Sequence, residues 1–148
     1  MKKLLPLLFV LAAAVPARAG SAITGAVPFL RLAVGARSVA MGEAFCAAPD
    51  DATALYWNPA LLASVDGNSV ALMHAAYVAG TSYDAGAVSF KLRKSGFAAG
   101  IQRFSSGDMT EYDYAGADLG RFAQTDLAVT LGYGTEFTTG YMAGVAAK

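Results

Sequence analysis

Apolar and polar positions alternate with a period of two along the second half of the chain. From Asp126 to Phe137, Leu127, Val129, Leu131, Tyr133 and Phe137 fall on one face, and Asp126, Ala128, Thr130, Gly132, Gly134 and Glu136 on the other. Such alternation predicts a β-strand. Ser82–Arg93 repeats it, with Val88, Phe90 and Leu92 against Ala87, Ser89, Lys91 and Arg93. Asn68–Val78, Gly96–Ser105 and Gly140–Ala147 alternate more weakly, because Ala and Gly blur their faces. Lys94-Ser95-Gly96 and Thr138-Thr139-Gly140 carry the residues of tight hairpin turns. Ser106 to Thr125 reads as a long polar loop, with Asp108, Glu111, Asp113 and Asp118 against Arg121. Upstream of Gly67 the pattern is helical and small-residue-rich. An aspartate of the Asp50-Asp51 pair is placed to cap a short helix over Ala52–Trp57. Asn58-Pro59 suits the start of a second one, since proline fits the first helical position and disfavours helix in the residue before it. The prediction is two short helices with a kink between them.

Composition sharpens this picture. Hydrophobic residues make up 55% of the 148 and charged ones 15%, against roughly 45–50% and 25% in typical soluble domains. Beyond the first twenty residues no run reaches the roughly 18 apolar residues that a spanning helix needs. The start of the chain has the form of a signal peptide over residues 1–19: Lys2 and Lys3, an apolar core from Leu4 to Val15, and Ala17-Arg18-Ala19 for cleavage, with Ala22 a second candidate. Eleven basic and eleven acidic residues balance to zero, and loss of Lys2, Lys3 and Arg18 leaves an excess of three acids. No basic face for nucleic acid is advertised. Cys46 is the only cysteine, so no internal disulfide forms, and a small buried apolar residue is its expected role. Strands of this length, tight turns at one end and a long polar loop at the other describe a transmembrane antiparallel β-barrel, which crosses lipid with no long apolar run. A small exported β-sandwich, serving as a surface or adhesion module, alternates in the same way with its apolar face turned inward. Periodicity leaves both open.

From Gly35 the chain resembles a known family. Gly35-Ala36-Arg37-Ser38-Val39-Ala40-Met41-Gly42-Glu43-Ala44-Phe45, then Asp50-Asp51-Ala52 and Tyr56-Trp57-Asn58-Pro59-Ala60-Leu61-Leu62-Ala63, resemble the start of the PorV/PorQ family of Gram-negative outer-membrane barrels. These are related to the FadL long-chain fatty-acid transporters. The resemblance continues through Ser105-Ser106-Gly107-Asp108-Met109 and the strand Asp126–Phe137. It implies a FadL-like barrel in the outer membrane, with residues 20–67 folded into its lumen as a hatch and residues 68–148 supplying its first strands. On that implication Gly35, Arg37, Met41, Gly42, Glu43, Asp50, Asp51, Asn58, Pro59 and Ala60 are hatch residues with structural roles. The implied function is passage of a hydrophobic small molecule, or accessory work in type IX protein secretion with secreted cargo as partner. Outer-membrane lipid is the other expected partner, and no cofactor is implied. Five strands are legible, whereas the smallest single-chain bacterial barrels have about eight. The expectation is therefore the N-terminal portion of a longer barrel, with a multi-chain barrel as the rarer alternative.

Chemistry-bearing residues are sparse. His74 is the only histidine, lies in a strand, and has no second Cys or His with which to build a zinc site, so it is expected to be structural. No Gly-x-Ser-x-Gly or comparable nucleophile arrangement is present, and an enzyme is not expected. Asp50 and Asp51 are expected to cap rather than bind metal, and in a hatch they are placed to pair with Arg37. Arg37 and Glu43 are candidates for an ion pair in the lumen or for solvated charges. The acidic loop lacks the order of a hand-type calcium site. Lys91 and Arg93 face the lumen of a barrel or the solvent around a sandwich. The spacings Gly96–Gly100, Gly116–Gly120 and Gly140–Gly144 match a helical packing motif that has no meaning on strands.

Overall fold

The computed structural model describes residues 27–148, so the expected signal peptide lies outside the described residues. Seven strands follow a helical N-terminal segment: β1 (Ser69–Ala76), β2 (Ser82–Leu92), β3 (Ser95–Ser105), β4 (Met109–Tyr112), β5 (Asp118–Phe122), β6 (Thr125–Thr138) and β7 (Tyr141–Ala147). The principal sheet is an antiparallel meander in the order β1-β2-β3-β6-β7. The all-β class and antiparallel order follow the alternation read from the sequence. Among the described residues the sheet is open, with β1 and β7 at its edges. Among the described residues no helix is long and apolar enough to cross a membrane.

The turns refine the predicted boundaries. Leu92 pairs with Ser95, so the β2–β3 turn is Arg93-Lys94, one residue earlier than the Lys94-Ser95-Gly96 expected. Arg93 takes a positive φ of 52° there, as two-residue hairpin turns demand. Gly140 supplies the positive φ, 81°, at the β6–β7 turn. The segment expected to be a loop, Ser106 to Thr125, contains the β4–β5 hairpin instead. Every residue of both strands is exposed, so no buried face imposes the alternation that reveals other strands. Asp113 closes its tip by accepting from the Ala115 and Ala117 N–H groups, both at 2.8 Å.

The two faces of the main sheet are opposite in kind. One carries the large apolar side chains, and it is exposed: Leu72 84%, Val129 57%, Leu131 61%, Phe137 66%. The other carries small and polar residues, including Ala87, Ala98, Gly100, Gln102 and Thr130, and it is covered. What covers it is the N-terminal segment. Ala52, Ala54, Leu55, Leu62 and Val65 pack with Ala87 and Ala98, while Phe29 and Val34 pack with Tyr83 and Ala85. A sandwich core would place Leu127, Val129 and Leu131 in this layer, and they stand on the far side of the sheet.

The close fit rests on missing side chains. A Cβ at Gly134 would fall on the Pro59 carbonyl, one at Gly144 on the Ala60 amide, and one at Gly96 on the Leu62 carbonyl. At Gly100 it would strike the Tyr56 hydroxyl and at Gly132 the Leu55 side chain. Gly96 and Gly100 thus belong to one face because an even spacing on a strand returns to the same side. The Gly96–Gly100 spacing, expected to be meaningless on strands, marks this contact surface. A Gly134→Val change is expected to lift the segment at a cost of about 1–3 kcal/mol. It should speed tryptic cleavage after Arg37 by roughly ten- to hundredfold, measured by limited proteolysis beside a Thr110→Val control on the exposed hairpin.

Candidate functional site

The N-terminal segment is built as a chain of local devices. Gly35 (φ 101°) opens the helix Ala36–Ala40, where Ser38 donates to the carbonyls of Val34 at 2.8 Å and Gly35 at 2.6 Å. Met41, half-exposed, ends the helix. Gly42 and Glu43 then both take positive φ, 63° and 66°, which lets the Glu43 N–H reach back to the Ser38 carbonyl at 2.9 Å. For glutamate this left-handed conformation is unusual. Asp51 accepts from the Thr53 N–H at 2.7 Å and the Thr53 hydroxyl at 2.5 Å, fixing entry to the helix Ala54–Trp57. Asn58 is extended (φ −156°), and its Oδ1 accepts from the Ala60 N–H at 3.2 Å as the cap of the 3₁₀ turn Pro59–Ala63. The two short helices and the kink between them are as the sequence predicts, except that the first begins at Ala54 and not Ala52, and its N-cap is Thr53, with no side-chain capping bond.

Long-range contacts tie these devices together. Asn58 Nδ2 donates to the Cys46 carbonyl at 3.0 Å, and Trp57 Nε1 to the Val34 carbonyl at 2.9 Å. Trp57 meets Phe45 edge-on with ring centroids 5.9 Å apart, and the Arg37 guanidinium lies 5.3 Å above the Phe45 ring. Arg37 Nη1 donates to Asp50 Oδ1 at 2.8 Å, and that bond holds the Asp50 carboxyl below the usual carboxylate range. The alternative pairing of Arg37 with Glu43 does not form; the reversal at Gly42-Glu43 precedes a stretch that brings Asp50, not Glu43, to the guanidinium. Cys46 is also placed differently from expectation. It is exposed, because its role is played by its backbone carbonyl and Phe45 fills the adjacent apolar space.

The polar contacts beneath the segment come from one sheet lysine, one tyrosine of the segment and one pair within the sheet. Lys91 Nζ donates to the Ala63 carbonyl, so the inward option for this residue holds, whereas Arg93 sits in the turn. The Tyr56 hydroxyl donates to the Gly86 carbonyl at 2.7 Å and lies 3.2 Å from that of Ile101. Gln102 Nε2 donates to the Tyr83 hydroxyl at 2.7 Å. Burial, reinforced by neighbouring Tyr83, pushes the Tyr56 hydroxyl up to about 12. Among the described residues no group of three His, Cys, Asp or Glu side chains converges as metal ligands. His74 lies on the outward face, beside Asp84 and Arg103. Tyr56 was missed because its contact depends on where the segment packs, and the His74–Asp84–Arg103 row because it depends on strand register. The alternation of Gly132 and Gly134 with large residues was the available signal for the inward contact surface.

An antiparallel β protein with apolar side chains outward, and a polar, glycine-rich face covered by its own N-terminal segment, is the class these features define. The pattern of the family described as type IX secretion system protein PorV matches residues 15–148, and the chain belongs to the PorV family. No curated protein matches the chain.

Tyr56 gives this surface a pH signature. A tyrosine whose hydroxyl ionises above its ordinary value near 10 favours the seated state while neutral. Its contribution is fully present below about pH 10 and is lost as pH rises towards about 12. The emission of Trp57, the chain's single tryptophan, is expected to shift to the red across that window. Tyr56→Phe should remove this step and weaken seating at neutral pH by about 1 kcal/mol, read as the difference between the two alkaline titrations.

Proposed function

We propose that this chain forms part of an outer-membrane β-barrel with residues 27–67 in its lumen, and that it serves type IX secretion as a non-catalytic accessory for exported proteins. The observation that carries the reading is the outward apolar face. On β6 it extends from Leu127 to Phe137, about 33 Å of strand, or about 25 Å of height at a tilt near 40°. That height fits the lipid-facing band of an outer-membrane barrel. Aromatic pairs gather towards the short-turn end, Phe97 with Tyr133 at 4.9 Å and Phe137 with Tyr141 at 6.3 Å between ring centroids. Tight turns at that end and the β4–β5 hairpin at the other suit periplasmic and extracellular sides respectively. The sheet edges at β1 and β7 require partners in lipid, which further strands or further copies supply. PorV membership supports the link to secretion.

In this reading Gly35, Arg37, Met41, Gly42, Glu43, Asp50, Asp51, Asn58, Pro59 and Ala60 are hatch residues that shape and fasten the plug. A second role, passage of a hydrophobic molecule as in the FadL-like transporters, is favoured by one feature. At the hairpin end of the inward face, Pro28, Phe29, Leu32 and Phe104, with Gln124 and Asp126, line a pocket of about 300 Å³. Binding of a fatty acid that quenches with Phe104→Asp distinguishes this role from secretion alone.

Leu131→Lys puts a charge near mid-height of the outward face, with an expected cost of about 2–4 kcal/mol for assembly in lipid. In the native host this variant should be depleted from the outer-membrane fraction and leave secreted cargo in the periplasm, while Thr110→Lys on the hairpin should assemble normally. Recovery of the wild-type protein from the soluble fraction without detergent overturns the proposal.

A further inference from the structure

Among the described residues one row of the outward face carries charged side chains. His74 on β1 stands opposite Asp84 on β2, and Asp84 opposite Arg103 on β3. Asp84 Oδ1 lies 2.6 Å from His74 Nδ1, and Asp84 Oδ2 lies 3.5 Å from Arg103 Nη1. Arg103 is level with Leu127, at the hairpin end of the apolar band. One step towards mid-height the next row is Leu72, Gly86, Ile101 and Val129. Because Gly86 has no side chain, the space between Leu72 and Ile101 is a groove of about 440 Å³ headed by the three polar residues. It runs on past Gly86 into a second apolar depression of about 370 Å³ beside Val88, Ala99 and Val129.

We infer that this groove binds an anionic phospholipid, with one acyl chain lying over Gly86 and the headgroup phosphate on Arg103. The inference rests on the proposal that this face meets lipid. Ionisable side chains on a lipid-facing surface are costly and mark function. Asp84 is held at short distance by His74, so its contact with Arg103 is a single one at the limit of hydrogen-bond length. Arg103 is half-exposed and has no other partner among the described residues. Most of its guanidinium donors are therefore free, and their planar fork matches phosphate. A cation at the band's border, leading into an apolar channel towards mid-height, has the polarity of an amphiphile and not of a soluble anion. The groove also depends on a bare floor: a Cβ at Gly86 would already approach Leu72 Cδ2 to 3.2 Å.

The full-length protein in detergent micelles, loaded with phosphatidylglycerol or phosphatidylcholine and read by native mass spectrometry, tests this. Wild type is expected to retain phosphatidylglycerol about tenfold better, the scale of one charge-assisted hydrogen bond. Arg103→Gln should erase that preference, and Gly86→Leu should lower retention of both lipids. Excess glycerol phosphate should not displace the lipid. Equal retention of the two lipids by wild type overturns the inference without any variant, as does a preference that survives both substitutions. Displacement by glycerol phosphate overturns the acyl-chain part, leaving an anion site only. A protein that stays dispersed without detergent overturns the membrane reading itself, a result distinct from lipid binding without selectivity.

Discussion

The approach of the N-terminal backbone to a sheet face stripped of side chains is the constraint on which the rest of this structure depends. Pro59, Ala60 and Leu62 lie against Gly134, Gly144 and Gly96 so closely that a single carbon at any of these glycines would collide with main-chain atoms. A surface that flat offers little apolar area of its own. The compensating apolar residues come from the segment, with Leu55 and Leu62 buried to within 1%, and from hydrogen bonds such as those of Tyr56 and Lys91 to carbonyls.

The inverted faces follow from the same constraint. With most inward positions committed to glycine, alanine and polar groups, most large side chains of β1, β2, β3, β6 and β7 stand on the other side; Met73, Tyr83 and Phe104 are inward exceptions. Ser89 Oγ, Gln102 Oε1 and Thr130 Oγ1 are buried inward with no partner among the described residues. In a dry core each such atom costs about 1–3 kcal/mol, so a polar interior suits them better than a sandwich core. The lipid-facing reading thus draws on both faces at once. The row His74–Asp84–Arg103 stands out as the one outward row with charged side chains among the described residues.

The strands were legible in the sequence because each has one committed face. Leu127, Val129, Leu131 and Tyr133 alternate strictly with Ala128, Thr130 and Gly132, and the observed β6 exceeds the predicted strand by one residue at each end. The Asn58 cap was legible too, since it acts through a bond within two residues, whereas Asp51 bonds Thr53, the residue that precedes the helix. The β4–β5 hairpin escaped notice because both of its faces meet solvent. Contacts that join distant segments were less accessible. Arg37 with Asp50 was among the pairings expected, but nothing local discriminated it from Arg37 with Glu43. The exposure of Cys46 depends on Phe45, its neighbour, taking the apolar space against Trp57. Periodicity identified the apolar face but not its direction, which is set by where the segment before Gly67 packs.

Direction is accordingly the quantity to measure. With Cys46 replaced by serine, single cysteines introduced from Leu127 to Tyr133 and spin-labelled in the membrane-reconstituted full-length protein report lipid and water at each site. High oxygen accessibility and low accessibility to a water-soluble nickel chelate are expected at 127, 129, 131 and 133, with labels at 128 and 130 shielded from oxygen. Labels at 129 and 131 that are buried from both reagents, while those at 128 and 130 meet solvent, would contradict the outward direction of the apolar face.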